Sequence, residues 1–198
     1  MKKLLGPIAL LLLCSLPAFA QDNKFEVGGG YTYRSFIPPT PGPDIPNPRV
    51  SYNGWNGSVA YHVNNWFSVA TVVDGTYNSV ADESGGNDKS SIYTVLVGPR
   101  VYPFGHHTIA PFGEALFGLA HIRTTLPSST ECGDFCTFTD GSFGVAVGGG
   151  VDLNLTKHVG IRAAEFDYER TSFVDLSTPG LSDASNNWKV SAGVFFRF

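Results

Sequence analysis

Arg100, Glu114, Arg162 and Asp167 are the residues of this 198-residue chain best suited to chemistry. Each stands in a segment where polar and apolar residues alternate. Successive side chains of an extended strand point to opposite faces, so these charges belong to polar faces. Acids and bases that meet across a narrow interior can exchange protons, as general acids and bases do. They can equally hold one another as ion pairs and react with nothing. Eight strands leave just enough room for side chains, so the sequence favours an ion-pair network filling a lumen over catalysis.

The other reactive side chains point the same way. His106 and His107 share one connection and His158 lies in another, which makes exposed turn residues of all three; His62 and His121 lie within strands. None stands beside a nucleophile in a recognisable motif. Cys132 and Cys136 are separated by three residues in "CGDFC". A metal pair usually has two between and further ligands elsewhere, so a local disulfide is the better reading. In the chain-entropy account it contributes roughly 2 kcal/mol, enough to stiffen a loop. The glycine runs at 28–30 and 148–150 are followed by no helix and are not phosphate loops. No cofactor and no metal are expected.

The amino end supplies a compartment. Lys2 and Lys3 precede an apolar run from Leu4 to Leu16, and "AFA" at 18–20 is a small-x-small cleavage site. This is a secretory signal peptide over residues 1–20, leaving one domain over 21–198. The run is shorter than the ~20 residues of a spanning helix. A lipoprotein signal at Cys14 would want a small residue before it, and Leu13 is there. Export places the cysteines in an oxidising compartment. The chain has a formal charge of −4 and no basic run, so it has no electrostatic footprint for nucleic acid.

The elements that must position these groups are strands. Apolar residues alternate, and no helical period follows the leader. Eight strands are predicted, near 24–36, 52–63, 66–79, 91–104, 109–123, 139–155, 159–173 and from Trp188 to the carboxyl end. A Pro-rich stretch, "IPPTPGPDIPNPR", follows the first, and its six prolines cannot supply sheet donors. Pro99 should distort the fourth strand. The seventh keeps its parity only with a one-residue bulge near Ala164–Glu165. The bulge returns Phe166 and Tyr168 to the face of Ile161, and Asp167 and Glu169 to that of Arg162. Connections after odd strands are long and polar, and those after even strands are short. The fold class is therefore all-β, an antiparallel up-and-down barrel.

The period alone does not say which face is inside. A soluble barrel buries its apolar face; a membrane barrel turns it to lipid. The polar faces carry charges of both signs and many glycines, which suit a crowded interior. The apolar faces carry Tyr33, Trp55, Tyr77, Tyr93, Tyr168 and Trp188 near strand ends, as aromatic girdles do. The reading is a transmembrane barrel. Its alternatives are a soluble periplasmic barrel for an apolar ligand, a lipid-modifying barrel enzyme, and a narrow ion channel.

The segments "LVGPRVYPF", "PFGEALFGLAH", "GVAVGGGVDLNLTKHVGIRAAEFDYERT" and "VSAGVFFRF" resemble the eight-stranded outer-membrane β-barrel domain proteins, akin to the OmpA transmembrane domain and OmpX. The resemblance covers most of residues 91–198. It implies a monomer in outer-membrane lipid with a filled interior, no large pore, and a structural or surface-binding role through long outer loops toward a ligand it does not name. It also implies that Val194, Phe196 and Phe198 form the terminal signal read by the barrel-assembly machinery.

Overall fold

The computed structural model describes residues 24–36, 49–81, 87–127, 135–174 and 182–198. The expected leader at 1–20, nearly all of the Pro-rich stretch, and Cys132 with its pairing to Cys136 lie outside the described residues. Eight strands follow in order: β1 (Phe25–Phe36), β2 (Val50–His62), β3 (Phe67–Ala81), β4 (Asn87–Val101), β5 (Ile109–Pro127), β6 (Phe135–Asn154), β7 (Val159–Val174) and β8 (Ser182–Arg197). Each pairs antiparallel with its sequence neighbours, and β8 returns to β1 to close the barrel. Closure leaves no unpaired edge, which hydrocarbon would penalise heavily.

Alternation along each strand sorts the side chains into two environments. Val59, Val95, Phe117, Leu119, Phe143, Val147, Val190 and Phe196 face outward and are exposed. Glu26, Arg34, Asp74, Arg100, Asp152, Asp167 and Lys189 face inward with 0% exposure. A water-soluble barrel would reverse these assignments, so the soluble alternative falls. Tyr33, Trp55, Tyr77, Tyr93, Tyr168 and Trp188 ring the wall toward one rim, and Tyr61, Trp66 and Phe104 toward the other, all exposed. In β3 the stretch between these belts runs from Phe67 to Tyr77, matching the ~9–11 residues of a tilted membrane strand.

Connections 63–66, 102–108 and 155–158 share the rim where β1 begins, and this is the periplasmic side by the rule of short turns. At the other rim the strands run further than expected. The segment 124–138, read from sequence as a loop, is ladder at both ends: β5 reaches Pro127 and β6 starts at Phe135, with Thr125 opposite Thr137. β-Branched residues on both strands let pairing persist there. The polar stretch after β3 shortens likewise, with Ala81 paired to Asn87. β4 conversely stops at Val101, short of the expected 104, where Pro103 lacks a donor. Gly105 then adopts φ 70° and donates its N–H to the Tyr102 carbonyl at 3.0 Å.

The irregular positions have clear causes. Between Arg162 and Glu165 the β7 ladder shifts register by one residue on both of its edges. Ala163 and Ala164 both face outward, and Glu165, Asp167 and Glu169 turn inward after them. This is the bulge that the parity of the sequence demands. Around Pro99 the pairing of β4 with β5 lapses between Val97 and Arg100, yet the register is the same on either side. The distortion there is a gap rather than a bulge.

Three apolar groups lie among the inward side chains: Phe36, Tyr52, Ile92 and Ala120; Val72, Leu96, Leu116 and Ala146; and Tyr102, Ala110 and Phe112. They fill the lumen between the charges. Deleting Ala164 removes the bulge and sends Glu165, Asp167 and Glu169 to the lipid face. The deletion variant should fail to assemble, giving identical gel mobility with and without boiling, while Ala163→Gly keeps the folded band. A normal folded band from the deletion would overturn this register argument.

Candidate functional site

The lumen holds two linked groups of charges, and strand parity delivers every member. Nearer the periplasmic rim, Glu26 from β1 is the hub. Its Oε2 accepts from Arg197 Nε at 2.9 Å and lies 3.3 Å from His62 Nε2. Its Oε1 accepts from Arg162 at 3.1 Å, with Arg100 3.7 Å away. Arg100 and Glu114 face each other across the β4–β5 ladder and pair at 2.7 Å. Arg162 donates to Asp152 at 2.9 Å and lies 3.2 Å from Glu165. Tyr102 also donates to Asp152, at 3.1 Å.

The second group sits further along the barrel. Arg34 donates to Asp74 at 2.7 Å and to Glu169 at 3.0 Å. Lys189 bridges Asp74 and Asp167 at 3.3 and 3.2 Å. Glu114, Glu165 and Asp167 bring oxygens within 4.8 Å of one another, which joins the two groups. Arg100, Arg162 and Lys189 border that junction and offset its repulsion. Arg162 therefore meets Glu114 only through Arg100 and Glu165, and Asp167 belongs to the lysine's group. An alanine at Gly148 would drive its methyl into the Asp167 carboxylate; glycine is what lets this acid lie against β6.

Aromatic rings complete the packing. Arg100 and Arg162 stack over Phe112 at 4.6 and 4.8 Å, and Arg197 over Phe195 at 4.6 Å. Desolvated cation–π contacts of this kind contribute up to about 2 kcal/mol each. Phe195 stands on an otherwise polar face with Lys189, Ser191 and Arg197, and Phe112 shares its face with Glu114. The break in alternation at Phe195 was the available sign of its role, and composition alone did not reveal it. Glu26 gave a fainter signal, since its importance follows from the β1–β8 closure that sets it opposite Arg197.

At the periplasmic mouth a cavity of about 530 Å³ is bordered by His62, His106, Asn154 and Arg197. His106 corrects the expectation of an exposed turn residue. Its ring packs 4.6 Å from His62 and 4.3 Å from Tyr102. Burial, aided by the nearby Arg197 and His62, pushes its pKa down to about 4. His107 and His158 are exposed. Val194 and Phe196 face lipid, and Phe198 follows them with its N–H donating to the Phe25 carbonyl at 2.8 Å.

The arrangement is chemically quiet. The charges are engaged with one another, and of this network only His62 and Arg197 border the cavity at the periplasmic mouth among the described residues. Removing one partner from a buried ion pair typically costs about 3–5 kcal/mol. Glu26→Gln keeps the shape and withdraws the charge from three guanidinium groups. It should lower the urea midpoint of the bilayer-inserted protein more than Glu114→Gln, whose carboxylate serves Arg100 alone. Equal midpoints for the two variants would show that Glu26 is no hub.

Comparison with known proteins agrees with this architecture. The chain is similar in structure to Ail, the attachment invasion locus protein of Yersinia pestis, at 16% identity, a TM-score of 0.61, and coverage of 88% of this chain and 98% of that one. It is similar to Neisserial surface protein A at 16% identity and a TM-score of 0.64, covering 88% and 97%. Such identities speak of fold. No curated protein matches the chain. The family described as outer membrane protein beta-barrel domain matches residues 7–196, which places the protein in the bacterial outer membrane. The chain belongs to that outer-membrane β-barrel family.

Proposed function

We propose that this barrel is a non-enzymatic scaffold that presents its outer rim to a protein partner. The carrying observation is the β5–β6 hairpin, whose strands are 19 and 20 residues long. Tyr93 of the outer girdle pairs with His121, and β5 continues from there to Pro127. At ~3.3 Å per residue the stem runs roughly 20 Å along the strand beyond the girdle, about 15 Å in height at the usual tilt. A rigid stem beyond the bilayer is a platform, and binding concentrates in loops that a rigid scaffold displays.

Charge narrows the partner. The four segments between strands at this rim, 37–48, 82–86, 128–134 and 175–181, contain Asp44, Asp82, Glu83, Glu131, Asp134 and Asp175 and no Lys, Arg or His. One structure of Ail is a complex with the heparin analogue sucrose octasulfate. The acidic segments here repel a sulfated polyanion and favour a basic protein surface. Cells displaying the protein should bind basic extracellular-matrix proteins and not immobilised heparin. Neutralising the six acids as Asn or Gln should weaken binding about tenfold or more while the folded band persists. Undiminished binding by that variant, or preferential capture on heparin, would overturn the reading.

The terminal strand supports a second role within the same proposal. Val194, Phe196 and Phe198 form the assembly signal, being apolar residues in alternation on the strand that closes the barrel. Removing Phe198 should lower the yield of inserted protein in cells, with refolding in detergent little changed. Full insertion of the truncated chain would count against the signal.

A further inference from the structure

The cations of the lumen all have carboxylate partners, and the outward wall carries a pair that has none among the described residues. Lys89 on β4 and Arg123 on β5 are both exposed. The ladder sets Lys89 opposite Thr125 and Ser91 opposite Arg123, so the two cations are diagonal neighbours. Like charges this close repel. Among the outward-facing described residues around them, Tyr77, Ser79, Tyr93, His121 and Thr139, none is acidic. An anion between the two cations would relieve the repulsion.

The surroundings say what kind of anion. Lys89 and Arg123 border a groove of about 430 Å³ with Tyr77, Ser91, Tyr93 and Thr125. Tyr77 and Tyr93 meet edge to face at 5.8 Å, and Trp55 Nε1 donates to the Tyr77 hydroxyl at 3.3 Å. These rings mark the level where lipid headgroups begin. Below them, on the same two strands, Val95 pairs with Leu119 and Val97 with Phe117, all exposed. This strip is apolar and continuous. A ligand with charge at the groove and hydrocarbon below it matches both parts at once. Arg170, also exposed and one ladder step beyond Tyr168, has no second cation opposite it, since its partners are Val145 and Asn186.

We propose that Lys89 and Arg123 form a binding site for a phosphorylated glycolipid of the outer leaflet. The headgroup phosphate lies between the ammonium and the guanidinium, and Ser91 and Thr125 offer hydroxyl donors. Acyl chains run down the Val95–Leu119 and Val97–Phe117 strip. The site depends on the membrane placement of the barrel and is independent of what the outer loops bind.

Native mass spectrometry of the detergent-purified full chain tests this with diphosphorylated lipid A as probe. The same lipid A stripped of phosphate and free inorganic phosphate serve as comparison probes. Wild-type protein should retain diphosphorylated lipid A. The double variant Lys89→Gln/Arg123→Gln should lose roughly thirtyfold in affinity, since each basic side chain near an anionic lipid surface matters by about a factor of five. Arg170→Gln should bind as wild type, and Lys89→Arg should keep most of the affinity. A folded band on unboiled gels confirms each variant is intact, because these side chains lie outside the lumen. Equal binding by the double variant, equal retention of dephosphorylated lipid A, or displacement by equimolar inorganic phosphate would each overturn the site.

Discussion

Hydrocarbon offers no partner to a backbone N–H or C=O, and the rest of this structure follows from that fact. Every strand must pair on both edges, so the sheet must close. A closed sheet of eight strands has an interior barely wider than its side chains. The residues that cannot face lipid must then fit inside, and charged groups fit there only when they neutralise one another. The enclosed network of Glu26, Arg100, Asp152, Arg162 and Arg197 is thus the necessary complement of a wall made of Val, Leu, Phe and Tyr.

The two faces divide the labour of the molecule. Inward residues give stability, because the charged heads there are held by neighbouring groups of opposite sign. Outward residues set the depth of the barrel through Trp55, Tyr77, Tyr93, Trp188 and the periplasmic Trp66 and Tyr61. The rim beyond the girdle is where contact with other molecules is least constrained. β5 and β6 extend into that zone, and the wall cations Lys89 and Arg123 sit at its lower boundary.

Much of this was legible in the sequence because a two-residue period is a strong local signal. The bulge in β7 follows from parity alone, since no other device keeps Glu165 and Asp167 off the lipid face. The choice between a water-facing and a lipid-facing wall was readable from glycines and girdle aromatics. Strand ends were less so. The β5–β6 ladder continues past the membrane zone into Thr-rich sequence where polarity suggested a loop. Ion-pair partners were hidden for a different reason. Which acid meets which base depends on the stagger of the closed barrel, and Glu26 meets Arg100, Arg162 and Arg197 from three other strands. The half-buried place of His106 was hidden likewise, because a turn can fold beneath the barrel mouth as easily as away from it.

Glu26 lies on the first strand, and its partners arrive on the fourth, seventh and last. A partly built sheet therefore holds the Glu26 carboxylate at one edge and the Arg197 guanidinium at the other, apart from each other. The final pairing joins hydrogen bonds and neutralises charge in a single event. Closure acts as a latch: the open form is electrostatically strained as well as short of partners, and the shut one has neither defect. Opening the seam between first and last strands would separate opposite charges in a medium that cannot screen them. The seam, ordinarily the weak line of a rolled sheet, is here fastened by charge as well as by its ladder.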